Sequence, residues 1–222
     1  MTTFLVMQTR IADELVRDDL ASQTRNAIND AIKTWEGIRL TFNERRYLIN
    51  TVADTEYYDL TNTAVLFFED GSSVGTGGTL LEIDDIRITV NSSWYSLSPR
   101  TDAWFSRNSG PAAAYTGQPD SYGVFGNILR LFPIPDAVYP LSLAGLGRLS
   151  PVPLSADADT NPWMVEGETL IRQQAKYILY RDLLRDAEGK ANAAEGVQEA
   201  QYHLERKYAG RGYTGRQKAW TL

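Results

Sequence analysis

The feature that most constrains this chain is a hydrophobic period that changes from helical to strand-like and back again. Between about Gln23 and Ile38, apolar residues recur at three- and four-residue steps, the period of one helix face. In the middle of the chain the period falls to two, as at Ile86, Ile88 and Val90, which predicts half-buried strands. The helical period returns at about Glu166. We therefore expect an α+β fold, with an α-helical bundle formed by N- and C-terminal helices and a β-rich insertion between them.

Four amphipathic helices are predicted, two at each end of the chain. The opening pair covers about Thr3 to Asp18 and about Gln23 to Ile38. Ser22 is the expected N-cap of the second helix, because its hydroxyl can accept a hydrogen bond from a first-turn amide. The closing pair covers about Glu166 to Leu184 and about Lys190 to Tyr208. The opening helices are expected to bury Leu5, Ile11, Ala12, Leu15 and Val16 in the first and Ala27, Ile28, Ala31, Ile32, Trp35 and Ile38 in the second. The closing helices are expected to bury Leu170, Ile171, Ala175, Ile178, Leu179 and Leu183 in the first and Ala193, Val197, Ala200, Leu204 and Tyr208 in the second.

Short strands are expected throughout the insertion. They cover Arg46–Val52, Glu56–Leu60, Leu80–Val90, Trp94–Leu97, Tyr122–Phe125, Ile128–Phe132 and Leu141–Leu146. Gly126-Asn127 is a two-residue hairpin signal, and Pro140 favours the start or an edge position for the last strand. A short helical turn is expected after Pro99, and the four glycines of residues 70–79 predict a surface loop.

The chain is therefore expected to divide into a helical body (residues 1–40 and 150–209), a β-rich insertion (41–149) and an extended C-terminal tail (210–222). The tail holds three cations, three glycines and two aromatic rings, with no acid. Binding segments commonly use aromatic and arginine anchors. We therefore predict a docking tail whose partner-binding residues are Arg211, Tyr213, Arg216, Lys218 and Trp220. Inert disorder is the alternative, because termini are often disordered.

Composition excludes several classes of function. The formal net charge of -6 argues against a dedicated nucleic-acid binder, whose domain is usually basic. The absence of cysteine excludes a disulfide framework, cysteine-ligated metals and a thiol nucleophile. No stretch approaches the roughly 18 apolar residues that span a bilayer, and the first residues lack the basic start of a signal peptide. No membrane association is expected.

The acidic loop Asp157–Asn161 partly matches a calcium-binding loop. Oxygen ligands occupy its first, third and fifth positions, and Glu168 occupies its twelfth. Pro162, however, replaces the glycine that permits the sharp turn. A helix start explains the same residues better: Asn161 caps, proline is tolerated at the first helical position, and Glu166 and Glu168 meet the positive end of the helix dipole. No metal site is predicted.

No catalytic or cofactor site is predicted either. The glycines between residues 71 and 78 are not followed by the lysine of a phosphate-binding loop. His203, the only histidine, lies on a charged late helix and reads as a surface residue. Asp84 and Asp85 are adjacent on a strand and point to opposite faces, which makes them poor metal co-ligands. Asp18-Asp19 reads as a solvated turn.

The order of features along the chain resembles that of the adaptor, or head-to-tail connector, proteins of tailed bacteriophages. The resemblance rests on amphipathic opening helices, the stretch IDDIRITVNSSWYSLSPRTDAWF, the hairpin GNILRLFPIPD and the Asn161-Pro162-Trp163 entry into closing helices. It is strongest from Tyr115 to Leu184. The resemblance implies a non-enzymatic virion protein that forms a ring, twelve-fold, beneath the portal and joins capsid to tail. DNA would pass through its lumen without sequence recognition.

The resemblance also implies the partners: the portal protein, a tail or nozzle protein, and further copies of the chain itself. The helices would contact the portal and neighbouring subunits, the β insertion would contact the tail, and assembly would take place in the host cytoplasm. Three alternatives remain at this point. They are a tail-completion or neck protein of the same particle, a carbohydrate-binding β module of a tail fibre, in which Trp94, Tyr95 and Trp104 would stack on sugars, and a small nuclease or hydrolase.

Overall fold

The computed structural model of the chain describes residues 2–62, 67–68, 79–108, 115–149, 151 and 153–209. The chain divides into two compact units, residues 1–43 with 149–222 and residues 44–148. Helices dominate the described part of the first unit and strands that of the second, so the prediction of a mixed α+β protein is confirmed. The predicted tail, residues 210–222, and residues 70–78 of the predicted glycine-rich loop lie outside the described residues.

The described helices are α1 (Phe4–Leu15), α2 (Ala21–Trp35), α3 (Asp102–Asn108), α4 (Pro162–Val165), α5 (Glu168–Leu179) and α6 (Ala187–Ala209). A π-helical segment, Tyr180–Leu184, continues α5. All but α3 belong to the first unit. Their apolar faces form one buried cluster around Trp163, whose ring meets Phe42 edge-on at 4.9 Å between centroids. Phe42 also packs against Tyr208 near the end of α6, at 5.5 Å.

Several helix predictions need correction. Helix α1 buries Phe4, Met7 and Ile11 and leaves Leu5 and Val16 exposed, so the packed face is rotated from the predicted one. Val16 has a left-handed backbone (φ 53°), which ends the helix before Asp18. Ser22 is not an N-cap: α2 starts one residue before it, and the Ser22 hydroxyl donates to Gln23.

The predicted closing helix from Glu166 to Leu184 consists of separate pieces. Gly167 lies between α4 and α5, where an added Cβ would come within 3.0 Å of the Trp163 ring. At the other end, the π-helical segment has more residues per turn than an α-helix, so its side chains no longer continue the buried face of α5. Leu183, predicted to be buried, is therefore exposed. The second closing helix is confirmed and begins slightly earlier, at Ala187.

The strands of the second unit form two main sheets. In chain order they are β1 (Glu44–Asn50), β2 (Tyr57–Asp59), β3 (Phe67–Phe68), β4 (Thr79–Val90), β5 (Ser93–Ser96), β6 (Ser98–Pro99), β7 (Thr116–Gly117), β8 (Ser121–Phe125), β9 (Ile128–Phe132), β10 (Ile134–Pro135) and β11 (Pro140–Arg148). The five-stranded sheet has the order β3-β1-β11-β4-β5, the four-stranded sheet has the order β2-β9-β8-β6, and β7 pairs with β10. Buried side chains from both main sheets form one core, which includes Tyr47, Ile86, Leu143, Leu129 and Leu131.

Local turn chemistry explains the hairpins. Gly126 has a left-handed backbone (φ 61°) and lets Phe125 pair directly with Ile128, which confirms the predicted hairpin. Asn91 and Ser92 also have positive φ and connect β4 to β5. Pro140 does begin its strand, but β11 occupies the centre of its sheet, because β1 pairs with one side of it and β4 with the other.

Candidate partner-binding surfaces

One end of the four-stranded sheet carries an exposed apolar patch, formed by Tyr57, Phe125 and Ile128 and called here the hairpin-end patch. Pairing of β2 with β9 sets Asp59 opposite Ile128, and pairing of β8 with β9 sets Phe125 opposite Ile128. With period-two alternation, Tyr57, Phe125 and Ile128 therefore lie on one face of the sheet. Their exposed fractions are 55%, 78% and 38%. Contiguous exposed apolar surface of this kind marks interaction sites.

Helix α3 packs on the same sheet face, against β8 and β9. The Phe105 ring lies on Gly123, where an added Cβ would approach Phe105 Cε2 to 2.5 Å. Glycine is therefore required for this close packing of helix on strand. The Trp104 ring packs edge-on against Phe132 at 5.3 Å, and the Arg100 guanidinium lies over Trp104 at 5.2 Å. The short helix predicted after Pro99 is thus confirmed, and among the described residues Tyr57, Phe125 and Ile128 stay exposed beside it.

Arg130 forms the boundary between the covered and uncovered parts of the face. Its guanidinium lies over the Phe105 ring at 4.7 Å and over the Tyr57 ring at 5.3 Å. Arg130 Nε donates to Glu56 Oε1 at 2.6 Å, and the two side chains are only 17% and 18% exposed. Asp102 Oδ1 lies 4.0 Å from Arg130 Nη1. These contacts hold Tyr57 in place beside the hairpin.

A cavity of about 260 Å³ opens beside the hairpin-end patch. Its walls are mostly apolar and include Phe105, Val124, Phe125 and Ile128, while Asp102 and Arg130 supply charge at its border. Apolar surface with a few polar groups at the rim is the usual composition of a site that accepts an apolar side chain.

The predicted acidic-loop residues are used inside the fold. Asn161 is the N-cap of α4, its side chain accepting from the Met164 amide at 3.2 Å, and Pro162 follows at the first helical position, as predicted. The Asp159 carboxylate accepts from the amides of Ser155 and Ala156, both at 2.7 Å, and these bonds lower its pKa. Asp159 thus stabilises the loop that leads into α4.

The remaining acids of this region form ion pairs with different helices. Asp157 pairs with Arg25 of α2, and Glu168 pairs with Arg10 of α1 at 2.5 Å. Glu168 lies in the first turn of α5, as predicted, whereas Glu166 lies between α4 and the N-cap of α5. Glu166 follows α4, and its carboxylate accepts instead from Lys207 Nζ at 2.6 Å and from the Tyr208 hydroxyl at 2.7 Å. Burial raises the pKa of the Tyr208 hydroxyl, and its hydrogen bond to the Glu166 carboxylate raises that pKa further.

The other singled-out polar residues lie on exposed surface. His203 Nε2 is 3.6 Å from Glu199 one turn earlier in α6, with both side chains about two-thirds exposed or more. Asp85 pairs with Arg87 at 2.6 Å, and Asp19 pairs with Arg17 at 2.7 Å. Across the part of the chain that the structure describes, no group of three His, Cys, Asp or Glu side chains is placed to hold a metal ion.

The comparison with protein families concerns the chain as a whole. A family model described as SU10 adaptor protein matches residues 2–219, nearly the whole chain. The chain belongs to the SU10 adaptor protein family. The resemblance to phage head-to-tail adaptors is thereby confirmed, and this SU10-type adaptor is a component of the virion. No curated protein matches it.

The helices and the exposed aromatic residues of the adaptor bear on two earlier expectations, that of no membrane association and that of a carbohydrate-binding module. None of the helices among its described residues is long and apolar enough to cross a membrane. The aromatic residues of the carbohydrate alternative do not form one stacking platform. Trp94 and Tyr95 are consecutive on the edge strand β5 and so point to opposite faces. Trp104 is packed within the α3 cluster on the other sheet.

The predicted docking residues of the adaptor, Arg211, Tyr213, Arg216, Lys218 and Trp220, all lie outside the described residues. Sequence reasoning missed the hairpin-end patch, although a signal for it is present. The run VFGNIL places apolar residues directly on both sides of the hairpin turn, so the alternation that buries one strand face fails there. A hairpin end that is apolar on both faces must expose some of those side chains.

Proposed function

We propose that this adaptor forms a ring of twelve copies beneath the portal, joins the capsid to the tail without enzymatic activity, and leaves a channel for DNA. The single observation that carries the proposal is the SU10 adaptor family match over residues 2–219. The acidic balance of the chain, -6 at pH 7, supports a conduit for DNA, because an acidic wall does not hold phosphate electrostatically.

The two ends and the middle of the chain take different partners in this proposal. A helical body (residues 1–40 and 150–209) binds the portal and neighbouring subunits, and a β-rich insertion (41–149) binds a tail or nozzle protein. The exposed Trp94 of the insertion supports a binding role for the insertion. The tail, residues 210–222, docks on an adjacent protein of the neck through its aromatic and cationic residues. Assembly takes place in the host cytoplasm.

We expect the purified protein to be a monomer or weak oligomer alone and to assemble on the portal. Binding to the portal raises the local concentration of subunits, so it shifts a weak self-association toward the ring by mass action. Light scattering of the adaptor with and without the portal of the same phage measures this. A stable ring at low micromolar concentration without portal would contradict the expectation that the protein alone is a monomer or weak oligomer. Binding to the tail alone would favour a tail-completion or neck protein.

Variants of the tail test its docking role. Trp220→Ala should weaken assembly on the portal by about 2 kcal/mol or more if the indole is a hot spot. Lys218→Ala should cost less than about 1 kcal/mol, as expected of a charge at a solvated rim. Trp94→Ala, which removes an exposed ring from the insertion, is the matched control and should leave portal assembly unchanged. Equal assembly by all three variants and the wild type would show that the tail does not dock.

A further inference from the structure

The hairpin-end patch has the properties of a site for a short aromatic segment. Tyr57, Phe125 and Ile128 present a continuous apolar surface that α3 leaves uncovered, and the adjoining cavity of about 260 Å³ is large enough for one aromatic side chain. The surface is also held in shape before any partner arrives. The Arg130 guanidinium contacts both Tyr57 and Phe105, and the Gly126 turn fixes the hairpin. Such preorganisation lowers the entropy cost of binding.

Carboxylates border this apolar surface. Asp59 lies directly opposite Ile128 in the strand pairing. Its carboxylate accepts hydrogen bonds from the Thr61 hydroxyl and amide, which lower its pKa. Asp102 lines the cavity with a side chain that is 66% exposed. The surface is therefore suited to a segment that combines an aromatic anchor with cations and lacks acids.

We propose that the hairpin-end patch of one copy binds residues 210–222 of a second copy of this chain. That segment holds Tyr213, Trp220 and three cations and no Asp or Glu, which complements the patch in both hydrophobicity and charge. It follows α6 directly. The end of α6 is anchored in its own unit because Tyr208 is buried and bonded to Glu166. Thirteen extended residues reach at most about 45 Å.

We assign the tail to a second copy, rather than the same copy, because exchange between neighbours fits the ring of the proposed function. The donor surface (the tail) and the acceptor surface (the patch) are different, so each copy can give its tail to one neighbour and receive a tail from another. Such heterologous contacts are the ones that close into rings. The inference rests on the ring of the proposed function, in which the portal holds neighbours side by side.

Two full-length variants test the exchange by complementation. Phe125→Ser keeps the tail but damages the patch, and Trp220→Ala keeps the patch but removes the tail's anchor. Sedimentation velocity at about 100 µM should show weak self-association of the wild type, monomers for each variant alone, and a one-to-one heterodimer in an equimolar mixture. Val138→Ser, at another exposed apolar position of the same unit, is the matched control and should associate like the wild type.

A fluorescent peptide of residues 210–222 measures the acceptor site separately. It should bind the Trp220→Ala protein at least tenfold more tightly than a Trp220→Ala/Phe125→Ser protein, and Tyr57→Ser should weaken it similarly. Unchanged thermal melting of these variants shows that they fold.

Three results would overturn the exchange: a wild type that stays monomeric, a Phe125→Ser protein that self-associates like the wild type, or equal peptide binding by patch-intact and patch-damaged proteins. Assembly of Phe125→Ser on the portal is measured in parallel. Full portal assembly without tail exchange would leave the ring standing and refute only this inference.

Discussion

Replacing Arg130 by methionine should destabilise the β-rich unit by more than the loss of one ion pair would. The guanidinium donates to Glu56 at 2.6 Å and also lies over two aromatic rings, Phe105 at 4.7 Å and Tyr57 at 5.3 Å. Arg130 and Glu56 are both less than one-fifth exposed, so water replaces these contacts poorly. Methionine fills part of the space but leaves the Glu56 carboxylate without the guanidinium.

The magnitude follows from these contacts. A hydrogen bond to a charged group contributes about 1.5–3 kcal/mol when it is largely shielded from water. A partly exposed cation–π contact adds about 0.5–1 kcal/mol, and methionine recovers some packing. We therefore expect Arg130→Met to lower the free energy of unfolding by about 2–4 kcal/mol. In the double variant Arg130→Met/Glu56→Gln no largely buried charge is left without its partner, since Asp102 is 66% exposed, so it should be more stable than Arg130→Met alone.

The assay is urea unfolding followed by circular dichroism, with Arg87→Met as the matched control. Arg87 forms an ion pair with Asp85 at the same 2.6 Å, but the side chains are 45% and 32% exposed. Pairs this accessible to water contribute about 0–1 kcal/mol. If Arg130→Met and Arg87→Met destabilise the protein equally, burial and ring stacking do not strengthen the Arg130 site, and our explanation of the ordered patch fails.

Three further predictions concern the core and the acidic loop. Burial raises the pKa of Tyr47 to about 12. Above pH 10 the unfolded chain loses the Tyr47 proton while the folded protein retains it. The free energy of unfolding is therefore unaffected below pH 10 and falls by about 3 kcal/mol as the pH rises to 12. Urea unfolding across that range should show a smaller fall for Tyr47→Phe. Gly145→Ala should cost about 3 kcal/mol, because its Cβ would lie 1.9 Å from the Glu82 carbonyl oxygen, whereas Gly37→Ala meets no atom within 4 Å and should change the melting temperature little. Calorimetric titration with calcium should show no binding tighter than about millimolar; a micromolar site lost on Asp157→Ala would contradict the helix-start explanation.

The sequence predicted those elements whose signals are local. The three- and four-residue spacing of Ala27, Ile28, Ala31 and Ile32 identified the buried face of α2, since one helix face needs no information from elsewhere in the chain. The hairpin at Gly126-Asn127 and the cap at Asn161 were also predicted, because turn and cap chemistry depends on a few consecutive residues.

Features that depend on distant pairing were not predicted. Strands β1 and β2 are separated by a short turn yet belong to different sheets, because β1 pairs with β11 and β2 pairs with β9. Alternation shows which face of a strand is buried but not which strand lies beside it. The hairpin-end patch was missed for the same reason. Whether Tyr57 and Phe125 are covered depends on where α3 packs, and α3 lies elsewhere in the chain.

The copy number of the adaptor on its portal tests the central claim most directly. Electron microscopy of the purified portal mixed with an excess of this full-length protein, analysed without imposed symmetry, measures it. We expect a continuous ring of twelve adaptor subunits on one face of the portal, with an open channel on its axis. Portals without added density, or adaptor copies bound singly without contact between neighbours, would contradict a ring-forming head-to-tail adaptor.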